Sequence, residues 1–83
     1  MEKKHSITRI QTGMRIEKRM VKVLKGLAEY LEISLGDLIE GIVLHSFDGK
    51  TPFSEKTLNK IVTLKEIYDF DLTAEDSHNL IEK

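Results

Sequence analysis

Between Ile10 and Ile16 the chain alternates: Ile10, Thr12, Met14 and Ile16 share one side, and Gln11, Gly13 and Arg15 share the other. A period of two over this length predicts a β-strand with one apolar face. Beyond it the period changes. Met20, Val23, Leu24, Leu27, Ala28 and Leu31 recur at the i, i+3, i+4, i+7 spacing of an amphipathic helix, expected from about Glu17 to about Glu32. Gly26 lies inside that helix and costs about 1 kcal/mol relative to alanine there. Close approach of a second helix and simple tolerance explain it equally well.

Ser34, followed three residues later by Asp37, predicts an N-cap, with Asp37 standing where a capping box carries Glu or Gln. Leu35, Leu38, Ile39, Ile42, Val43 and Phe47 then mark a second helix, and its periodicity outweighs the strand-like run at Ile42-Val43. Residues 48–52, DGKTP, are turn chemistry. Ser54 caps a third helix bearing Leu58, Ile61, Val62, Lys65 and Tyr68, with Leu64 and Ile67 widening the stripe. Thr73, with Asp76 three residues on, opens a short last helix that carries Leu80 and Ile81. The expected organisation is a basic N-terminal arm over 1–9, a strand-helix-helix unit over 10–47 and a C-terminal helical extension over 48–83.

Length changes the picture first. A monomer of 83 residues buries only about 60% of the surface its unfolded chain exposes. There is no cysteine, so disulfides and thiolate-bound metal cannot add stability, and oligomerisation is the expected source of further core. No apolar run is long enough to cross a bilayer, and the N-terminal residues lack the apolar stretch of a signal peptide. A cytoplasmic location and no membrane partner are therefore expected.

Charge changes it again. The net charge of -1 conceals a partition: residues 1–25 hold eight basic side chains against two acidic ones, whereas the remaining residues hold five against twelve. A basic end of this kind suits a polyanion.

The order strand, helix, capped turn, helix within 10–47, with Leu27-Ala28-Glu29 near the end of the first helix, the Ile33-Ser34 turn and the run from Ile39 to Phe47, resembles the ribbon-helix-helix DNA-binding family, the Arc and MetJ type of repressor. The resemblance implies a mostly α protein with one N-terminal β-strand. That strand would pair with its copy in a homodimer as a two-stranded antiparallel ribbon, and Ile10, Met14 and Ile16 would cover a shared core. Such a ribbon fits the major groove, where arginine can read guanine and glutamine adenine. Arg15 and Gln11 are the expected base contacts, with Gly13 between them contributing no side chain. The resemblance also places the start of the second helix, Ser34 with the amides of Leu35 and Gly36, on a DNA phosphate, as helix N-termini favour anions. Asp37 opposes that contact, and Thr12 is a poor core residue. Lys3, Lys4 and Arg9, with Lys18, Arg19 and Lys22, supply the remaining backbone contacts. The expected function is a homodimeric transcriptional regulator that binds double-stranded DNA.

Other chemistries find little support. His5, His45 and His78 lack metal-ligand spacing, and the DFDLT run at 69–73 begins like a calcium loop but has Ala74 in place of the required glycine and Leu80 in place of the bidentate glutamate. With no phosphate loop or nucleophile motif either, neither an enzyme nor a cofactor is expected. The alternative is a protein-interaction or antitoxin-like module, in which the acidic helices of residues 51–83 bind a partner protein.

Overall fold

A computed structural model describes residues 4–82. Three α-helices form: α1 (Lys18–Leu31), α2 (Leu35–Phe47) and α3 (Glu55–Ile67), followed by a short 3₁₀ turn at Ala74–Asp76. Each helix starts where a side chain can accept an orphan amide. Glu17 accepts the Met20 N–H at 2.9 Å and Ser34 the Asp37 N–H at 3.1 Å, while Ser54 accepts the Thr57 N–H at 3.2 Å. The carboxylate of Glu17 also lies at the positive end of the α1 dipole.

The three helices stop in the same way. After α1, Ile33 donates its N–H to Ala28 O at 3.0 Å and Glu32 donates to Glu29 O at 3.1 Å. After α2, Lys50 donates to His45 O at 2.8 Å and Gly49 to Ser46 O at 3.0 Å; after α3, Phe70 donates to Lys65 O at 2.8 Å and Asp69 to Glu66 O at 3.3 Å. These are Schellman motifs, which need one residue in the left-handed region. That residue is Glu32 (φ 58°), Gly49 (φ 67°) and Asp69 (φ 51°) respectively. Only the second motif uses the residue best suited to it.

Helix α1 is the hub and packs against both α2 and α3. Val23, Leu27 and Ala28 of α1 meet Leu38 of α2 and Leu64 of α3 in the core, with Leu27 only 2% exposed. Leu24, Leu31, Ile42, Phe53, Ile61, Tyr68 and Phe70 close around them. Gly26 has a definite role here. A Cβ built on it would lie 3.0 Å from Leu64 Cδ2, so the missing side chain lets α3 approach α1. Between α2 and α3 runs a cleft with Leu38, Ile42, Phe53 and Thr57 in its walls.

Two sequence expectations are corrected. There is no β-strand among the described residues, so the strand over 10–16, the ribbon and the ribbon-helix-helix fold built on them are not present. Alternation fixes where side chains point, but a strand forms only when its backbone finds a ladder partner, and none lies beside residues 10–16 among the described residues. Ile10 is 82% exposed and Met14 67%, so neither covers a core. The fourth helix shrinks to the 3₁₀ turn. Thr73 and Asp76 do bond, Thr73 N–H to Asp76 Oδ2 at 2.8 Å, yet Leu80 and Ile81 lie beyond the turn and are exposed.

The radius of gyration is 14.4 Å, against about 12 Å for a compact chain of this length. The difference lies in the extended segment before α1 and the tail after the 3₁₀ turn, both largely solvent-exposed.

Candidate nucleic-acid interface

Most of the basic side chains sit on one continuous run of chain. Lys4, Arg9 and Arg15 are exposed along the segment before α1, and Lys18, Lys22 and Lys25 are exposed on α1 itself. The helical spacing i, i+4, i+7 places those three lysines on one ridge, opposite the face that carries Val23, Leu27 and Leu31. The Lys22 ammonium lies 5.9 Å from the centre of the Tyr68 ring, which steadies the middle of the ridge. Lys3 lies outside the described residues.

The other expected contacts are distributed differently. Gln11 and Gly13 are exposed, and nothing lies within 4 Å of a Cβ built on Gly13. Arg19 is only part-exposed and its donors are engaged within the chain: Nη1 donates to Asp69 O at 2.7 Å, and Nε pairs with Glu17 at 3.3 Å. Its guanidinium also pairs with Asp71 at 3.4 Å and lies 5.9 Å from the Phe70 ring centre. Arg19 thereby ties the start of α1 to the end of α3.

At the start of α2, the Ser34 hydroxyl is occupied as a cap by the Asp37 N–H, and Gly36 is exposed while Leu35 is half-buried. The arm crosses this helix. Arg9 grips Glu40 with both arms of its fork, Nε to Oε2 at 3.0 Å and Nη2 to Oε1 at 2.9 Å. At the far end of the chain, Glu82 meets Arg15.

Two carboxylates here are displaced from their ordinary range. The hydrogen bond from Arg9 is the largest influence on Glu40 and holds its pKa below the usual carboxylate value, with the Arg9 charge adding to it and partial desolvation opposing. For Glu17, partial desolvation is the largest single influence and pushes upward. Hydrogen bonds from the Met20 and Arg19 amides and from the Arg19 side chain together outweigh it, so its pKa also falls. Arg9 is raised in turn, first by the hydrogen bond to Glu40 and then by its charge.

Reading the sequence for basic charge finds the segment and most of the ridge. It passes over Lys25, which the spacing from Lys18 and Lys22 marks as their neighbour. It also misses Glu40 and Glu82, whose pairings span 31 residues and most of the chain and leave no local pattern. Among the described residues no His, Asp and Glu side chains group as metal ligands, and no helix is long and apolar enough to cross a membrane. No family model, curated protein or solved structure matches the chain.

Proposed function

We propose that this protein binds double-stranded DNA as a homodimer and regulates transcription, holding the duplex through its basic N-terminal residues 1–25. The observation that carries the reading is the ridge of Lys18, Lys22 and Lys25 running on from an exposed segment with Lys4, Arg9 and Arg15. Cations so arranged neutralise consecutive phosphates and release their counterions, which drives binding without regard to sequence. Gln11 and Arg15 have the chemistry to read adenine and guanine edges. A dimer is supported by how little the single chain buries. Helix α2 leaves Val43, Leu44 and Phe47 exposed on the side away from Leu38, with Phe47 at 81%.

A second reading rests on a different surface. Val62 and Phe70 floor a shallow trough edged by Glu66, Asp69 and Asp71, with the Lys65 ammonium 5.9 Å from the Phe70 ring centre and Arg19 on Asp71, so a basic amphipathic segment of a partner protein would have to displace cations already seated there.

Fluorescence anisotropy with a random-sequence duplex at rising salt tests the DNA reading, with light scattering for the oligomeric state. Wild type is expected to bind as a dimer. Lys18→Ala and Lys25→Ala should each weaken binding evenly across sequences and reduce the salt slope by about 1. Binding that ignores salt, or none at low salt, refutes the reading.

A further inference from the structure

The two arginines of the extended segment already hold carboxylates of their own chain. Arg9 spends its bidentate fork on Glu40 at 2.9 and 3.0 Å, the same geometry with which a guanidinium grips a phosphate. Arg15, the expected base reader, meets Glu82 of the C-terminal tail. That tail leaves the 3₁₀ turn with Glu75 and Asp76 behind it and contributes no residue to the buried core.

We infer that the protein masks its own basic segment: Glu82 on Arg15 and Glu40 on Arg9 occupy the guanidinium groups that DNA phosphates and bases would take, and must release them before the duplex is engaged. The inference rests on the DNA-binding reading and adds a regulatory layer to it. A carboxylate and a phosphate compete for the same donors, so the masked population subtracts directly from apparent affinity. Both pairs are largely exposed, with side-chain accessibilities of 62% and 47% for Arg9 and Glu40 and 83% and 63% for Arg15 and Glu82. Exposed pairs are weak and salt-screened, which sets the mask at a modest factor that a phosphate-rich ligand can displace. The partition of charge along the chain acquires a use: the acidic remainder after residue 25 supplies an internal stand-in for DNA.

The test compares duplex binding by the full-length wild type, Glu82→Gln, Glu40→Gln and Glu75→Gln at low and high salt. Glu75→Gln removes the same charge from a side chain that holds no cation among the described residues. Glu82→Gln and Glu40→Gln should each tighten binding about two- to fivefold at low salt, with the gain shrinking at high salt, and Glu75→Gln should change it less. Equal gains from all three variants mean that net charge alone is felt and overturn the mask. Wild-type binding with no gain from Glu82→Gln or Glu40→Gln overturns the mask and leaves the DNA reading standing. Absence of binding by every variant overturns both. Backbone ¹⁵N relaxation at Leu80, Ile81 and Glu82 provides a readout without DNA: Arg15→Ala should loosen these residues, and an unchanged tail contradicts the contact.

Discussion

Gly26→Ala separates two opposing effects at a single position. In an exposed helix the substitution stabilises by about 1 kcal/mol, because alanine loses less backbone entropy than glycine. Here the new methyl carbon would sit 3.0 Å from Leu64 Cδ2 and 3.7 Å from Cδ1, where about 3.5–4.0 Å is the optimal separation of carbon atoms. Leu64 is 7% exposed and held among core residues, so α3 or the leucine must move by several tenths of an ångström. Overpacking of this kind costs about 1–3 kcal/mol. Set against the helix gain, it leaves a net destabilisation of about 1 kcal/mol. The second arm of the experiment removes the obstacle. In a Leu64→Ala background, itself expected to cost about 2–5 kcal/mol, the same Gly26→Ala change should turn stabilising by about 1 kcal/mol. Urea unfolding of the four proteins gives the coupling directly, and the slope against urea should be common to all if only the native contact is altered. Additive effects, or a Gly26→Ala protein more stable than wild type, would show that Leu64 gives way without cost and would refute the overpacking argument.

The other predictions concern the helix ends and their carboxylates. Glu32→Gly should raise stability by about 1 kcal/mol in thermal or urea unfolding, since the left-handed conformation that strains a glutamate suits glycine; a loss of stability would mean that Glu32 makes a contact worth more than the strain. Glu17 and Glu40 bind protons more weakly in the folded chain than in the unfolded one, so the stability they add is complete above the ordinary carboxylate value of 4.5 and is lost as pH falls through their lower folded values. Urea midpoints measured from neutral pH downward should therefore fall in that window, with Glu40→Gln removing part of the decline, and midpoints indifferent to acid would contradict both pairings.

The helices were legible because their signals are local. Ser34 and Ser54 announce helix starts, the DGKTP run marks a boundary, and the apolar spacing from Met20 to Leu31 identifies the buried face of α1. The third helix was read less well. Its buried side runs through Thr57, Ile61, Leu64 and Tyr68, leaving Leu58, Val62 and Ile67 to solvent, because a helix with apolar residues over much of its circumference does not declare which of them face α1. The strand was misread for a related reason. Ile10 to Ile16 carry the right period, but pairing is a property of two segments and no second strand is present among the described residues. Basic charge marks Lys18 and Lys22 of the exposed ridge but not Lys25. The grip of Glu40 on Arg9 and of Glu82 on Arg15 depends on how distant parts of the chain cross, which no local pattern encodes.

That α1 alone touches both other helices has a consequence for how the molecule opens. With a cleft between α2 and α3, each is held mainly by α1, so two routes of partial unfolding are expected, coupled only through the shared core around Leu27. Loss of α2 carries Glu40 away and frees Arg9, whereas loss of α3 strips Leu64 from Gly26 and releases the anchor of Arg19 at Asp69. Native-state hydrogen exchange is expected to find the amides at the centre of α1, around Leu27, the best protected, because both neighbours cover them. The helix that bears the lysine ridge is thus the one that partial opening is expected to leave in place.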